Sequence, residues 1–93
     1  MSDNSSIWTI RYSDDVIKKD IPKLSTSIKQ RVKQSIENKL MVDPLHFGKP
    51  LRYSLNNLRS LRVGDYRVLY ALNNNDKVVS IVSISHRKDI YED

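Results

Sequence analysis

The 93-residue sequence has no cysteine, only two glycines and no long apolar run. Without cysteine, neither a disulfide framework nor a thiolate zinc site can form, and a reducing cytoplasm is a suitable environment. No apolar stretch approaches the roughly 20 residues that a transmembrane helix requires. The polar, acidic residues 1–6 also differ from a signal peptide. We therefore expect a soluble, cytoplasmic protein that does not span a membrane.

Metal ions and cofactors are not expected either. The two histidines, His46 and His86, are far apart in the chain, and neither has a carboxylate neighbour at the spacing of a metal site.

The composition is that of an ordinary globular protein, with 39% hydrophobic and 29% charged residues. A chain of this length has room for one hydrophobic core, so we predict a single domain over residues 1–93, in which residues 1–6 are flexible. Sixteen Lys and Arg against eleven Asp and Glu give a net charge of +5. This balance favours a polyanionic partner.

The first half of the chain predicts a strand followed by two helices. The segment Ile7 to Tyr12 alternates and is rich in β-branched and aromatic residues, which is typical of a strand. A short helix is predicted from the capping residues at 13–15 to Ile21, where Pro22 interrupts it. A second, amphipathic helix is predicted from Ser25 to Met41. Its apolar positions lie four apart, at Ile28, Val32, Ile36 and Leu40.

The second half switches to a period of two. After a predicted loop at 45–50, three strands are predicted near 58–63, 66–72 and 77–85, separated by the turn-forming residues 64–65 and 73–76. The fold class is therefore α+β, with the order β-α-α-β-β-β and two helices packed on one face of an antiparallel sheet.

Alternation within the last two strands predicts a pair of neighbouring arginines. Arg67 lies on the opposite face from Tyr66 and Val68, which suit the core, and Arg87 lies late in the antiparallel neighbour. Two guanidinium forks from adjacent strands can clamp a phosphate. Solvation of both arginines, or pairing with Asp65 and Asp89, stays open as the alternative.

Basic residues continue upstream of this pair. Asp65 is the only acid between Leu45 and Tyr70, and Tyr53 and Tyr66 are interleaved with the basic positions. Basic side chains mixed with aromatic ones suit single-stranded RNA.

Two segments of the second half closely resemble a known family. The first is LRVGDYRVLY at 61–70, and the second is ISHRKDIY at 84–91. Together with Asp43-Pro44 and with FGKPL at 47–51, they resemble the RelE-type toxins of the RelE/ParE superfamily. The resemblance covers nearly the whole chain, including the predicted order of elements.

The resemblance implies a ribosome-dependent endoribonuclease that enters the ribosomal A site, cleaves mRNA and inhibits translation. It also implies a type II toxin–antitoxin system with an acidic, RelB-like antitoxin. By resemblance, Arg67 stabilises the phosphate, Arg87 acts beside it, and Tyr91 orients the nucleotide or assists proton transfer. The residues expected to contact RNA are Lys49, Arg52, Arg59, Arg62 and Lys88.

Metal-independent cleavage by the 2′-hydroxyl needs a base, a charge stabiliser and an acid. Arginines supply the second but are poor bases. Where many relatives have Lys or Arg, two residues before Arg62, this chain has Ser60. Arg59 or His86 is left as the candidate for proton transfer, since imidazole exchanges protons near neutral pH.

Two other functions stay open from the sequence. One is a ParE-like toxin that poisons DNA gyrase without cutting RNA. The other is a catalytically impaired module that still binds an antitoxin, which the serine at position 60 makes a real alternative.

Overall fold

A computed structural model describes residues 7–51 and 57–89 of the chain. It contains a five-stranded sheet in the order β1-β5-β4-β3-β2. The strands are β1 (Thr9–Tyr12), β2 (Lys49–Pro50), β3 (Arg59–Val63), β4 (Tyr66–Asn73) and β5 (Val78–His86). The predicted strands are confirmed to within a few residues, and β2 is a short addition at the edge.

The sheet is mixed, and the prediction of a wholly antiparallel sheet is wrong for one strand. β3, β4 and β5 form the predicted antiparallel meander, but β1 pairs with β5 in parallel. The physical reason lies in the connection, because the helices after β1 carry the chain over one face before the meander begins. Parallel neighbours require such a crossover, whereas antiparallel neighbours can be joined by a tight turn.

The helices start and stop where local chemistry dictates. A π-helical segment (Val16–Asp20) runs into a 3-10 turn (Ile21–Lys23) that contains Pro22. The main helix α1 (Thr26–Ser35) begins at Ser25, whose hydroxyl accepts a hydrogen bond of 3.3 Å from the Ile28 amide. It continues as a second π-helical segment (Ile36–Leu40), so the predicted amphipathic helix is confirmed.

The predicted loop at 45–50 is wrong in its first part. Pro44–Phe47 forms a short helix, α2, because Asp43 accepts a 3.2 Å hydrogen bond from the His46 amide and a proline suits the first helical turn.

The core lies between the helices and one face of the sheet. Ile36 and Leu40 are fully buried against Val68, Tyr70 and Ile81. The predicted burial of Tyr66, Val68, Tyr70 and Leu72 is confirmed, since Val68 and Tyr70 are fully buried and the two outer residues are partly buried and pack on the same cluster.

None of the helices within residues 7–51 and 57–89 has the length and apolar character that a membrane span requires.

Regular alternation along β5 is interrupted at Val82. Ile81 pairs with Tyr70 and Ser83 with Leu69, so Val82 is an extra residue in the ladder. The bulge reverses the parity, and Ile81 and Ile84 therefore both reach the core although an odd number of steps separates them. Ser83 and Ser85, after the bulge, are consequently turned to the face that the helices leave open.

Candidate nucleic-acid interface

The open face of the sheet carries a cross-strand pair of arginines. Arg62 on β3 lies directly opposite Arg67 on β4, and Arg67 lies opposite Ser85 on β5. Residues directly opposite each other share a face, so both guanidinium groups project from the side away from the helices. Two like charges in this arrangement repel each other, and an anion between them relieves that repulsion.

Arg87 joins this pair in a small recess. The arginine recess has a volume of about 60 Å³ and is lined by Arg62, Gly64, Asp65, Tyr66, Arg67 and Arg87. A cavity of this volume can hold more than one water molecule, and phosphate oxygens can occupy the same space. The structure thus brings together the two arginines that the sequence predicts to be neighbours and adds a third, and Asp65 is the one acid among the described residues of the lining.

Arg87 reaches the recess from a different place than predicted. It lies just beyond β5, at the start of a 3-10 turn (Arg87–Asp89), instead of within the strand. Its amide donates a 2.8 Å hydrogen bond to the carbonyl of Asp65, which fixes this turn against the β3–β4 turn. Gly64 permits that tight turn, because its φ of +59° is costly for residues with a Cβ.

A larger cavity adjoins the recess and shares Arg62 and Arg67 with it. This basic groove, of about 450 Å³, is lined by Lys39, Phe47, Lys49, Ser60, Leu61, Arg62 and Arg67. Lys49 lies directly opposite Ser60 in the register of β2 and β3. A lysine of the edge strand is therefore the cross-strand neighbour of the position at which β3 itself has no basic residue.

Arg59 is not part of the interface, and its predicted roles in RNA contact and proton transfer are not supported by its position. It lies opposite Tyr70, on the face covered by the helices. Its Nη2 donates hydrogen bonds of 2.8 Å to the Leu45 carbonyl and 2.7 Å to the Gly48 carbonyl. The guanidinium thus holds the connection between α2 and β2.

Tyr70 also stabilises the connection between α2 and β2, from the core side. Its side chain is fully buried, and its hydroxyl donates a 2.7 Å hydrogen bond to the Pro44 carbonyl. Burial raises the pKa of Tyr70, and the hydrogen bond and positive charge of Arg59 offset part of that rise. Gly48 passes so close that a Cβ there would overlap the Tyr70 hydroxyl. The segment that carries Phe47 and Lys49 is therefore held rigidly.

The predicted proton-transfer residue His86 lies outside the arginine recess. Its ring packs edge-to-face on Tyr66, with 5.0 Å between ring centroids, and its Nδ1 accepts a 3.0 Å hydrogen bond from the Lys88 amide. His86 instead lines a separate pocket of about 310 Å³ together with Asp20 and Lys23. Tyr66 separates the two cavities, since it contributes to the lining of both.

Three further predicted site residues are not found in the recess or the groove, one by its position and two because they fall outside the described part of the chain. Lys88 is exposed in the 3-10 turn next to Arg87 and lines neither the recess nor the groove. Arg52 and Tyr91 lie outside the described residues. Within residues 7–51 and 57–89, no group of three His, Asp or Glu side chains is arranged to hold a metal ion.

Two residues of the groove were not predicted from the sequence. Lys39 belongs to the amphipathic helix, where its charge indicated only a solvated face. Phe47 was placed in a loop, yet it ends α2 with 42% of its surface exposed. The signal that could have found it was an aromatic residue beside Gly48 and Lys49 in a basic segment.

Comparisons with known proteins match nearly the whole chain. The model of the family described as ParE toxin of type II toxin-antitoxin system, parDE, matches residues 10–91. Toxin RelG of Mycobacterium tuberculosis is 36% identical over 84 residues, which cover 90% of this chain and 95% of that protein. Toxin RelE of the same organism is 36% identical over 73 residues, or 78% of this chain and 75% of that protein.

Solved structures show the same likeness. The toxin–antitoxin complex RelBE2 from M. tuberculosis contains a chain with a TM-score of 0.81 at 33% identity, covering 95% of this chain and 100% of that chain. A chain of the RelE–RelB complex from Pyrococcus horikoshii gives 0.65 at 25% identity, covering 90% and 99%. The isolated E. coli RelE toxin gives 0.69 at 17% identity over 85% and 83%, which supports the fold alone. The predicted fold is confirmed.

Proposed function

We propose that this chain, which belongs to the ParE toxin family of type II toxin–antitoxin systems, is a ribosome-dependent endoribonuclease that cleaves mRNA and thereby inhibits translation. The observation that carries the proposal is the arginine recess, in which Arg62, Arg67 and Arg87 line one small cavity. Three permanent positive charges around a phosphate-sized space suit the scissile phosphate of a polynucleotide.

In the proposed reaction, the 2′-hydroxyl attacks the neighbouring phosphorus, a 2′,3′-cyclic phosphate forms, and the bond to the 5′-oxygen of the next nucleotide breaks. The proton of the 2′-hydroxyl leaves to a base, and the departing 5′-oxygen receives a proton. Arg67 and Arg87 stabilise the extra negative charge on the phosphoryl oxygens as the pentavalent state forms. A metal ion is not required for this role, because the guanidinium groups supply the positive charge.

The proton-transfer groups of the proposal follow from the positions of the candidates. Arg59 and His86 face away from the recess, so we assign neither of them a direct catalytic role. Tyr91 is retained as the residue that orients the nucleotide or assists proton transfer. Lys49, opposite Ser60 at the groove, supplies positive charge along the RNA path next to the scissile phosphate.

Two relatives at 36% identity carry the names RelG and RelE, and this supports RNA cleavage over the poisoning of gyrase. The name of the matching family model, ParE toxin, favours gyrase as the second candidate target. The third possibility is a module that binds an antitoxin without catalysis. All three share a fold, so the choice between them depends on the recess.

The deciding experiment maps mRNA ends in cells after a short pulse of expression. The same mapping is then done on mRNA incubated with purified toxin in the presence and absence of ribosomes. We expect new ends within translated frames, formed only when ribosomes are present. A single 2′-deoxynucleotide at the cut position should abolish cleavage there, because the attacking hydroxyl is missing. Supercoiling defects without new mRNA ends would support the gyrase target instead.

The matched variants are Arg67→Ala and Arg87→Ala, with Arg11→Ala as the control. Arg11 is an exposed arginine on β1, at the opposite edge of the sheet from β2. Its replacement by alanine removes the same charge as the recess variants do. We expect both recess variants to lose growth arrest and mRNA cleavage while remaining folded. Full toxicity of both recess variants would show that the recess does not bind the scissile phosphate.

We also propose that an acidic, RelB-like antitoxin is the neutralising partner. Support comes from neighbours solved as RelB–RelE complexes, together with the net charge of +5 on this chain. Co-purification of an acidic protein encoded beside this chain, and recovery of toxicity after its removal, would test this partner.

A further inference from the structure

The basic groove contains an exposed aromatic ring that the proposed chemistry does not use. Phe47 is the only phenylalanine of the chain and exposes 42% of its surface at the end of α2. An exposed aromatic ring beside basic side chains offers a face on which a nucleic-acid base can stack, with positive charge close by for the phosphates.

The surroundings hold this ring in place but leave it accessible. The ring of His46 packs against it at 87° with 5.2 Å between centroids. The ammonium of Lys39 lies 5.9 Å from the ring centroid, which is near the outer limit of a cation–π contact. This lysine can therefore give way to an incoming planar group while its charge stays within the groove. The hydrogen bonds of Arg59 and Tyr70 fix the backbone on which the ring is mounted.

The groove continues from the recess, because Arg62 and Arg67 line both cavities. A strand of RNA whose phosphate occupies the recess can thus place an adjoining nucleotide in the groove. The groove, at about 450 Å³, lies within the size range of small-molecule sites. It combines an aromatic face with the lysines Lys39 and Lys49, which are the two components of sites for single-stranded nucleic acid.

We propose that the basic groove is a nucleotide subsite, in which the ring of Phe47 stacks on a base next to the cleaved bond and Lys39 and Lys49 bind its phosphate. This inference rests on the proposed function, since it takes the recess as the site of the scissile phosphate. Stacking on an aromatic face accepts all four bases, so the subsite positions the strand without selecting a sequence.

The test measures single-turnover cleavage on ribosomes programmed with mRNA, as a function of the concentration of toxin freed from its antitoxin. Phe47→Leu should raise the concentration that gives half-maximal rate by about tenfold, because it keeps an apolar side chain but removes the stacking face. Phe47→Tyr should restore the wild-type value. The control is Leu45→Ala, since Leu45 is a 54% exposed side chain of the same helix that does not line the groove.

A second arm places an abasic nucleotide on either side of the cleaved bond. At one of these positions the abasic nucleotide should raise the half-maximal concentration of the wild-type protein by about as much as Phe47→Leu does on intact mRNA. The abasic nucleotide should raise the half-maximal concentration of Phe47→Leu little further, because both changes remove the same contact. Equal behaviour of Phe47→Leu and Leu45→Ala would overturn the subsite. So would a variant that binds antitoxin more weakly but cleaves normally, which would make Phe47 a protein contact.

The two proposals fail in different ways. If Arg67→Ala abolishes cleavage while Phe47→Leu leaves it unchanged, the recess stands and the subsite is wrong. If the wild-type protein cleaves no mRNA on ribosomes, both the proposed function and the subsite are wrong.

Discussion

Arginines on the two faces of the sheet have different roles, although Arg59 and Arg62 are only three positions apart in one strand. Arg59 faces the helices, and its Nη2 donates hydrogen bonds to two backbone carbonyls, whereas Arg62 faces Arg67 at the recess. Charge alone could not distinguish them in the sequence. Strand parity could, because Leu61 and Val63 mark the core face of β3 and Arg59 shares their parity, whereas Arg62 does not.

The shape of the guanidinium group, and not its charge alone, should matter at position 67. Arg67→Lys keeps the positive charge but loses the planar pair of donors that fits two phosphate oxygens. We expect the cleavage rate at saturating toxin to fall by roughly 100-fold or more, as it does when a single stabilising donor is removed from other enzymes. Binding to the ribosome complex should change far less. A rate within threefold of wild type, measured by single-turnover cleavage, would argue against a bidentate contact.

A buried tyrosine, Tyr70, and a partly buried one, Tyr12, should make the fold sensitive to alkaline pH. Burial raises the pKa of both Tyr12 and Tyr70 above 10.0, and the charge of Glu37 adds to the rise at Tyr12. At a pH between the pKa of these tyrosines in the unfolded chain and their higher pKa in the fold, the native state binds more protons than the unfolded state. The contribution of these tyrosines to the free energy of unfolding is therefore fully present below about pH 10 and falls as the pH rises further.

Denaturant unfolding at a series of pH values between about 8 and 11 measures this loss, which is at most about 1.4 kcal/mol per pH unit for each tyrosine. Tyr12→Phe removes one of the two groups and should make the decline shallower. A decline of unchanged slope in this variant would show that Tyr12 titrates normally.

At the level of elements, the sequence predicted the periodic parts well and the irregular parts poorly. Long runs with a period of 3.6 or 2 have a strong signal, and α1 and the meander were found in this way. α2, the two-residue β2 and the bulge at Val82 have no period of their own. They exist because of tertiary contacts, such as the bonds of Arg59 and Tyr70 to the carbonyls of 44–48.

The connection between α2 and β2 should therefore be sensitive to one methyl group. In Gly48→Ala the new Cβ meets the Tyr70 hydroxyl, and we expect a loss of about 1 to 3 kcal/mol in the free energy of unfolding. Tyr70→Phe removes the hydroxyl and costs its hydrogen bond to Pro44. The double variant should lose less than the two single losses added together, because the clash is relieved. Strict additivity in denaturant unfolding would exclude the close approach as the reason for glycine at this position.

Over the whole molecule, the helices and the recess use opposite faces of one sheet. The helical face buries the core, and the other face collects basic side chains from β2, β3, β4 and the 3-10 turn after β5. The strand pattern predicted that Arg67 and Arg87 lie close together, as they do in the recess, whereas the anionic partner expected from the net charge stays a prediction. The shape of the groove could not be predicted, since it depends on side chains of five elements that only the fold brings together.

This distribution of charge predicts how the affinity for an acidic antitoxin depends on salt. Raising the ionic strength from about 0.05 to 0.5 M shortens the screening length to a few ångströms and should weaken binding substantially. The salt dependence of the affinity should come from the open face, so Lys49→Gln and Arg62→Gln should each reduce it.

The control variant Lys18→Gln removes an equal charge from the first helical segment, where Lys18 is exposed. That control should leave the dependence nearly unchanged, and titration calorimetry at several salt concentrations measures all three. If the affinity did not respond to salt, or if Lys18→Gln had the same effect as Arg62→Gln, the antitoxin would not be recognised through the charge of the open face.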